Sequence, residues 1–428
     1  MQYKVKEDNL AKSETSTDIN ASVAWNIFWV GFILYTISFS FPGINISLKY
    51  SQPFQIAGMI ILVPSGFYLI RWNFENAYLK VLFLIYTIWS FFVIIRGFSL
   101  DYNILKTLIF FAPFSIFLYF VPFVVIFRDG FANLRKLFNV IIILSLAFLV
   151  YVITYYRLLF FGDSGFFRVP TVVTETFVHF LSFPVSFILL TYLYHKKKTI
   201  LFAVFIIVLT FLLVTVRARR GLMFMTLCFM VFSYVIYYFT NRGKILKVIL
   251  SIVLLVLLVF YAFLTYSKNQ SGMFGLITNR IDEDTRNGVE DYFYSNMSVT
   301  NLAFGKGING SYYCPGIDET QGSVTMFRTA IETGYLQIVL KGGFMSLILY
   351  LLITIPAIFA GLFSSKNVLS KASAVWIFLY TIFLYPTYVN MFSMTYIIIW
   401  ISVGICYSKS MREKSDEEIM KVLNFKDQ

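Results

Sequence analysis

Charged side chains are scarce in this sequence: Asp, Glu, Lys and Arg make up 13% of its 428 residues, against about 25% in water-soluble globular proteins. An ordinary soluble globule is excluded, because so few charges cannot clothe its surface. Cysteine is nearly absent as well. Cys228 and Cys406 fall inside apolar runs and Cys314 stands alone in a polar segment, so neither a disulfide framework nor a metal-ligand spacing follows. The short alternating segments of a membrane β-barrel, about ten residues each, are missing too. The opening stretch MQYKVKEDNLAKSETSTDINAS has no compact apolar core leading to a small-residue cleavage site. It reads as a disordered cytoplasmic tail over residues 1–23.

Hydrocarbon is abundant instead: 58% of the residues are hydrophobic and 20% aromatic. A bilayer core of about 30 Å takes roughly 20 apolar residues per helix. Such runs fall at 24–41, 54–70, 81–98, 107–127, 137–156, 176–194, 199–216, 221–240, 245–264, 335–363, 372–386 and 390–407. The expected fold class is an all-α polytopic membrane protein with about twelve transmembrane helices and one large outer loop between helices 9 and 10. In that reading helices 1–9 occupy 24–264, the loop 265–331, helices 10–12 occupy 332–407, and a second cytoplasmic tail covers 408–428. Pro42, Pro113, Pro122, Pro184 and Pro356, inside helices or at their ends, mark kinks.

Lysine and arginine sort by side. With the N-terminus inside, the inner connections hold groups such as Arg128, Arg135 and Lys136, then Lys196, Lys197 and Lys198, then Arg242, Lys244 and Lys247. This is the positive-inside bias. It places both termini in the cytoplasm and accounts for the net charge of +13 without any nucleic-acid partner. His195, within HKKK, is expected to be solvated, and His179 is expected near the outer end of the sixth run, one turn after Glu175. No inner connection is long enough to build a catalytic site, and basic residues concentrate outside rather than deep in the spans.

One short stretch defies the charge rule. VRARRG, residues 216–221, puts Arg217, Arg219 and Arg220 on the outer side, in the shortest connection of the chain. Each such charge costs roughly 2.5–3.5 kcal/mol at a membrane helix unless it meets a partner or a wet cavity. The cluster either snorkels to membrane lipid phosphates or lines an anion site. Arginine's planar fork grips phosphate oxygens in pairs and keeps its charge when desolvated. The outer segments add Arg157, Arg168, Arg280, Arg286 and Arg328 among many aromatic rings, which stack on sugar faces.

Four stretches together resemble the bacterial O-antigen polymerases and O-antigen ligases. RARRG ahead of a helix looks like that superfamily's S-R-R-G pattern and matches Arg220, or less closely Arg219. RNGVEDYFYSNMSVTNLAFGKGING is similar to its loop pattern of an arginine, an aromatic stretch and a closing G-x-G, matching Arg286, Gly305 and Gly307. IETGYLQIVLKGGFMSLIL resembles the H-N-x-Y-L segment leading out of the large loop, with Tyr335 in register. FRVPTVVTETFVHFLSF looks like an arginine followed by E-P at a helix start, matching Arg168 and Glu175. Where ligases carry histidine this chain has Glu332, and Thr333 replaces asparagine, which favours the polymerase branch.

The resemblance implies glycosyl transfer at the outer face of the bacterial inner membrane, between an undecaprenyl-pyrophosphate-linked glycan donor and a lipid-linked acceptor. Arg220 and Arg286 would hold the leaving pyrophosphate and Glu332 would act as general base, unless it simply pairs with Arg328 four residues earlier on the same helical face. Arg217, Arg219, Arg168, Glu175, Arg280, Arg328 and Tyr335 are the expected substrate-binding residues. No cofactor or metal is expected: Asp282, Glu283, Asp284, Glu290 and Asp291 are read as a solvated or arginine-paired face. A chain-length regulator is a conceivable partner. The competing readings are an O-antigen ligase and a lipid-linked oligosaccharide flippase, although transporters generally show two related halves and discontinuous helices.

Overall fold

The computed structural model describes residues 2–40, 48–70, 72, 74–126, 130–161, 174–217, 219–240, 285–315 and 326–423. In chain order its helices are α1 (Gln2–Ser40), α2 (Leu48–Leu69), α3 (Ala77–Gly97), α4 (Tyr102–Phe110), α5 (Phe117–Val125), α6 (Gly130–Thr154), α7 (Tyr156–Phe161) and α8 (Thr174–Leu190). They continue with α9 (Lys197–Val216), α10 (Arg220–Thr240), α11 (Thr285–Asn296), α12 (Val299–Phe304), α13 (Gly334–Phe363), α14 (Val368–Phe383), α15 (Met394–Tyr407), α16 (Lys409–Glu413) and α17 (Asp416–Val422). Two short strands, β1 (Tyr312–Tyr313) and β2 (Phe327–Arg328), pair antiparallel.

Six of these helical segments are long and apolar enough to cross a bilayer: Asn20–Ser40, Ala77–Gly97, Asn133–Thr154, Lys197–Val216, Arg220–Thr240 and Gly334–Phe363. The chain is an all-α polytopic membrane protein. The expected ninth run, 245–264, lies outside the described residues, as do 265–284 and 316–325 of the expected loop. Residues read as a disordered N-terminal tail are helical from Gln2. The expected C-terminal tail carries α16 and α17, which dock on the bundle: Asn367 donates to the Met411 carbonyl at 2.8 Å, and Asp416 accepts from the Val368 amide at 2.8 Å and from the Tyr194 hydroxyl.

Small residues let helices meet where side chains would hold them apart. A Cβ on Gly31 would lie 2.7 Å from the Gly58 carbonyl oxygen, and one on Gly58 would lie 2.8 Å from that of Gly31, so α1 and α2 pack backbone to backbone. On another face of α1, Trp25, Phe28, Trp29 and Phe32 recur at helical spacing and form a buried aromatic row. The Trp29 indole donates to Asn133 at 2.9 Å, tying α1 to α6.

The fourth apolar run is not one helix. It divides into α4, a 3-10 turn over Ala112–Phe114, and α5. Pro113 has no N–H to donate, so the helix cannot continue its ladder through this position; Phe111, two residues earlier, is extended and caps the 3-10 turn that carries Pro113 near its start. The carbonyls freed by the break find partners: the Tyr35 hydroxyl donates to Ile109 and Phe110 at 3.3 and 3.4 Å, the Phe392 amide to Ala112 at 3.0 Å, and the Tyr388 hydroxyl to Pro113. Irregular backbone at membrane depth persists only when satisfied in this way.

His195 departs from its expected solvation. It lies between α8 and α9, half-buried, edge-on to Phe138 at 4.5 Å between ring centroids and 3.0 Å from the Thr191 hydroxyl. Burial holds its pKa well below the ordinary value. Below about pH 6.5 the unfolded chain gains a proton there that the folded chain refuses, so stability present above that pH is lost as pH falls. The apparent melting temperature in detergent should therefore drop between about pH 6.5 and 5, and His195→Gln should flatten that part of the profile. An unchanged profile would show that His195 is not the group responsible.

Candidate functional site

The VRARRG stretch is the tip of the α9–α10 hairpin, and its three arginines have three different situations. Arg217 caps α9 and turns its guanidinium onto the end of α7, where Nε donates to the Leu159 carbonyl at 2.6 Å and a terminal nitrogen to that of Leu158. A cation on the last carbonyls of a helix is a C-terminal cap. Arg219 forms an ion pair with Glu175 at 2.9 Å, so two of the four motif stretches meet. His179, buried one turn further along α8 and edge-on to Phe183, is close enough to Arg219 to feel its charge. Arg220 opens α10, is exposed, and has no hydrogen-bond or ion-pair partner among the described residues.

The glycine beside Arg220 faces a neighbouring turn. A Cβ on Gly221 would lie 3.4 Å from the Pro386 carbonyl oxygen, in the turn between α14 and α15. Gly334, at the start of α13, packs on the same turn, where a Cβ would sit 2.8 Å from the Thr387 oxygen and 3.0 Å from that of Leu384. The Tyr335 amide donates to Leu384 at 3.1 Å, and its ring lies parallel to that of Tyr385. Arg220, Glu332, Tyr335 and Tyr385 are thereby gathered around residues 384–387.

The segment leading into α13 is layered on α11 and the β-ribbon. Thr333 donates to the Glu290 carboxylate at 2.5 Å, and Tyr335 is hydrogen-bonded to Tyr294. Tyr312 is buried against Phe293, donates to the Ala330 carbonyl at 3.2 Å, and is hydrogen-bonded to the Arg328 side chain; burial raises its pKa far above the usual phenol. Arg328 lies in β2 and Glu332 in the bend beyond it, so they do not share the helical face expected from their spacing. Glu332 is exposed and lies within electrostatic reach of Tyr312. Arg286 is the second residue of α11, while Arg168, Arg280, Asp282, Glu283 and Asp284 lie outside the described residues. Among the described residues no three His, Cys, Asp or Glu side chains come together as metal ligands.

A second centre lies where α13 breaks. Gly343 has φ 67° and ψ −178° inside an otherwise continuous helix, a conformation open to glycine and costly for other residues. The break frees the Leu340 and Lys341 carbonyls, and the loop after α12 takes them: Lys306 N–H donates to Leu340 and Gly307 N–H to Lys341, both at 2.8 Å. Gly305 and Gly307, the closing G-x-G, have φ of 73° and 85°. The same loop reaches α3, through Ile308 N–H to the Val93 carbonyl at 3.0 Å and the Asn309 amide to Gly97 at 2.6 Å.

Lys341 sits at this break, 8% exposed, with Nζ donating to the Gly310 carbonyl at 2.9 Å and lying 5.0 Å above the Phe114 ring. It lines a cavity together with Tyr86, Tyr119, Gln337, Tyr388 and Asn390. Basic residues were expected to concentrate outside rather than deep in the spans, and Lys341 is a basic residue within one. Its sequence signal is a lone lysine followed by two glycines, near the start of the long tenth run.

No protein-family profile, no curated protein and no solved structure matches this chain.

Proposed function

We propose that this protein is a metal-independent glycosyltransferase that polymerises undecaprenyl-pyrophosphate-linked repeat units into a surface polysaccharide on the outer face of a bacterial inner membrane. The full twelve-helix threading, with both termini cytoplasmic, belongs to the same proposal. The observation that carries it is the convergence of an exposed Arg220, unpaired among the described residues, with Glu332 and the parallel Tyr335 and Tyr385 rings around one turn. That set offers a cation for a pyrophosphate, faces for sugar rings and a carboxylate for a proton.

In the reaction the acceptor hydroxyl attacks the anomeric carbon of the donor glycan. The bond from that carbon to the pyrophosphate oxygen breaks, and the electron pair leaves with the pyrophosphate. Arg220, with Arg286, stabilises the charge that develops there. Glu332 takes the hydroxyl proton as general base. Glu175, by pairing with Arg219, and the Leu158 and Leu159 carbonyls, by holding Arg217, fix the loop tip from which Arg220 projects.

A second reading has its own support. The breaks at Pro113 and Gly343 make two discontinuous helices facing one cavity, an arrangement shared with transporters, which favours a flippase for the same lipid-linked substrate. The surface glycans of a deletion strain separate the readings. Single repeat units on the cell-surface lipid, with long chains lost, are the expected result. Glycan trapped on the outer-face carrier would instead indicate a ligase, and carrier-linked units trapped on the inner face a flippase.

A further inference from the structure

Among the described residues that line it, the cavity at the α13 break contains a cation and no anion. Its lining residues include Lys341 and five tyrosines, Tyr86, Tyr119, Tyr350, Tyr388 and Tyr396, with Ser90, Gln337 and Asn390, and no Asp or Glu. An ammonium removed from water without a counter-charge is destabilising by several kcal/mol, and ionisable groups inside a membrane bundle mark ligand or ion paths. Lys341 spends one of its three N–H groups on the Gly310 carbonyl; the Phe114 face supplies a weak second interaction. Two donors remain. On the lining of the same cavity, the Tyr119 hydroxyl and the Asn390 amide have no hydrogen-bond partner among the described residues.

We infer that this cavity is an oxyanion site, in which Lys341 supplies the charge and the Tyr119 hydroxyl and Asn390 amide supply flanking hydrogen bonds to a phosphoryl or carboxylate group. Its space of about 70 Å³ holds several waters, at about 10–15 Å³ of such space for each. That is room for an oxyanion group. The site is built by the glycine loop, since Gly310, which holds Lys341, is positioned by the Gly305 and Gly307 contacts with the broken helix. It is separate from the residues around Arg220 and does not depend on the glycan reading.

The test uses the full chain in lipid nanodiscs. Tryptophan fluorescence, to which the cavity-lining Trp400 contributes, and the thermal midpoint are followed during titration with sodium phosphate, with sodium acetate, and with sodium chloride at matched ionic strength. The expected result is a saturable response to phosphate or acetate beyond that to chloride, weakened at least tenfold in Lys341→Met. A response to phosphate alone assigns the site to phosphoryl groups, and one to acetate alone to carboxylates. No response beyond chloride in the wild-type protein overturns the inference, whether or not the variant folds, and so does a response that survives Lys341→Met undiminished.

Discussion

Gly305→Ala is expected to leave little folded protein. At φ 73° an alanine pays the left-handed penalty of about 1–2 kcal/mol, and its Cβ would lie 2.4 Å from the Lys341 carbonyl oxygen and 2.5 Å from two backbone nitrogens of α13. Backbone cannot rotate aside as a side chain can, so overpacking adds about 1–3 kcal/mol. A total near 2–5 kcal/mol is a large part of the roughly 5–15 kcal/mol that holds a typical domain together. Gly343→Ala, whose Cβ would lie 2.2 Å from the Ala303 oxygen, should behave alike. Gly288→Ala is the control: it lies in α11 with nothing within 4 Å, and should gain up to about 1 kcal/mol. Fluorescence-detected size exclusion and thermal midpoints in detergent read all three. A Gly305→Ala protein with the wild-type midpoint would mean that loop and broken helix do not meet as described.

The second large effect separates neighbouring arginines. Arg217→Ala strands the Leu158 and Leu159 carbonyls at the end of α7, at about 1–3 kcal/mol for each buried group left unsatisfied, and should lower stability and yield. Arg220→Ala removes an exposed side chain without a partner among the described residues and should leave the midpoint unchanged. Its expected loss is in catalysis, about 100- to 1000-fold for removal of one charge-stabilising donor, seen as disappearance of long-chain polysaccharide at normal protein level. Normal chains from an Arg220→Ala strain would remove Arg220 from the pyrophosphate site. Loss of stability in Arg220→Ala would give it a structural role instead.

Spans were legible in the sequence wherever hydrocarbon alone decides the matter. The runs read at 199–216 and 221–240 are the helices Lys197–Val216 and Arg220–Thr240, because each is apolar on every side and bounded by charge. Breaks were less legible, because they depend on distant partners. Pro113 announces a kink, but whether the chain continues as one helix depends on Tyr35, Tyr388 and Phe392 being there to take the carbonyls. Nothing near Gly343 in the sequence reveals that residues 305–310 will be its partner. Lys341 is hidden from the charge rule, which weighs the connections between spans and not the spans themselves. His195 was masked by the three lysines that follow it, which face water while its ring faces Phe138. In VRARRG the sequence shows three equivalent cations, and only packing distinguishes a cap, an ion-paired residue and one with no partner among the described residues.

The break in α13 also divides the helix mechanically. At Gly343 the chain leaves the helical path, so a push along the axis of residues 334–342 is not relayed to 344–363. It is passed sideways, through Leu340 and Lys341 to the loop and from Ile308 and Asn309 to the end of α3. The first half of α13 is therefore held from two sides, by the loop and the tip of α3 at the break and by the α14–α15 turn at its start, and Gly343 is the one non-helical residue that joins it to the second half.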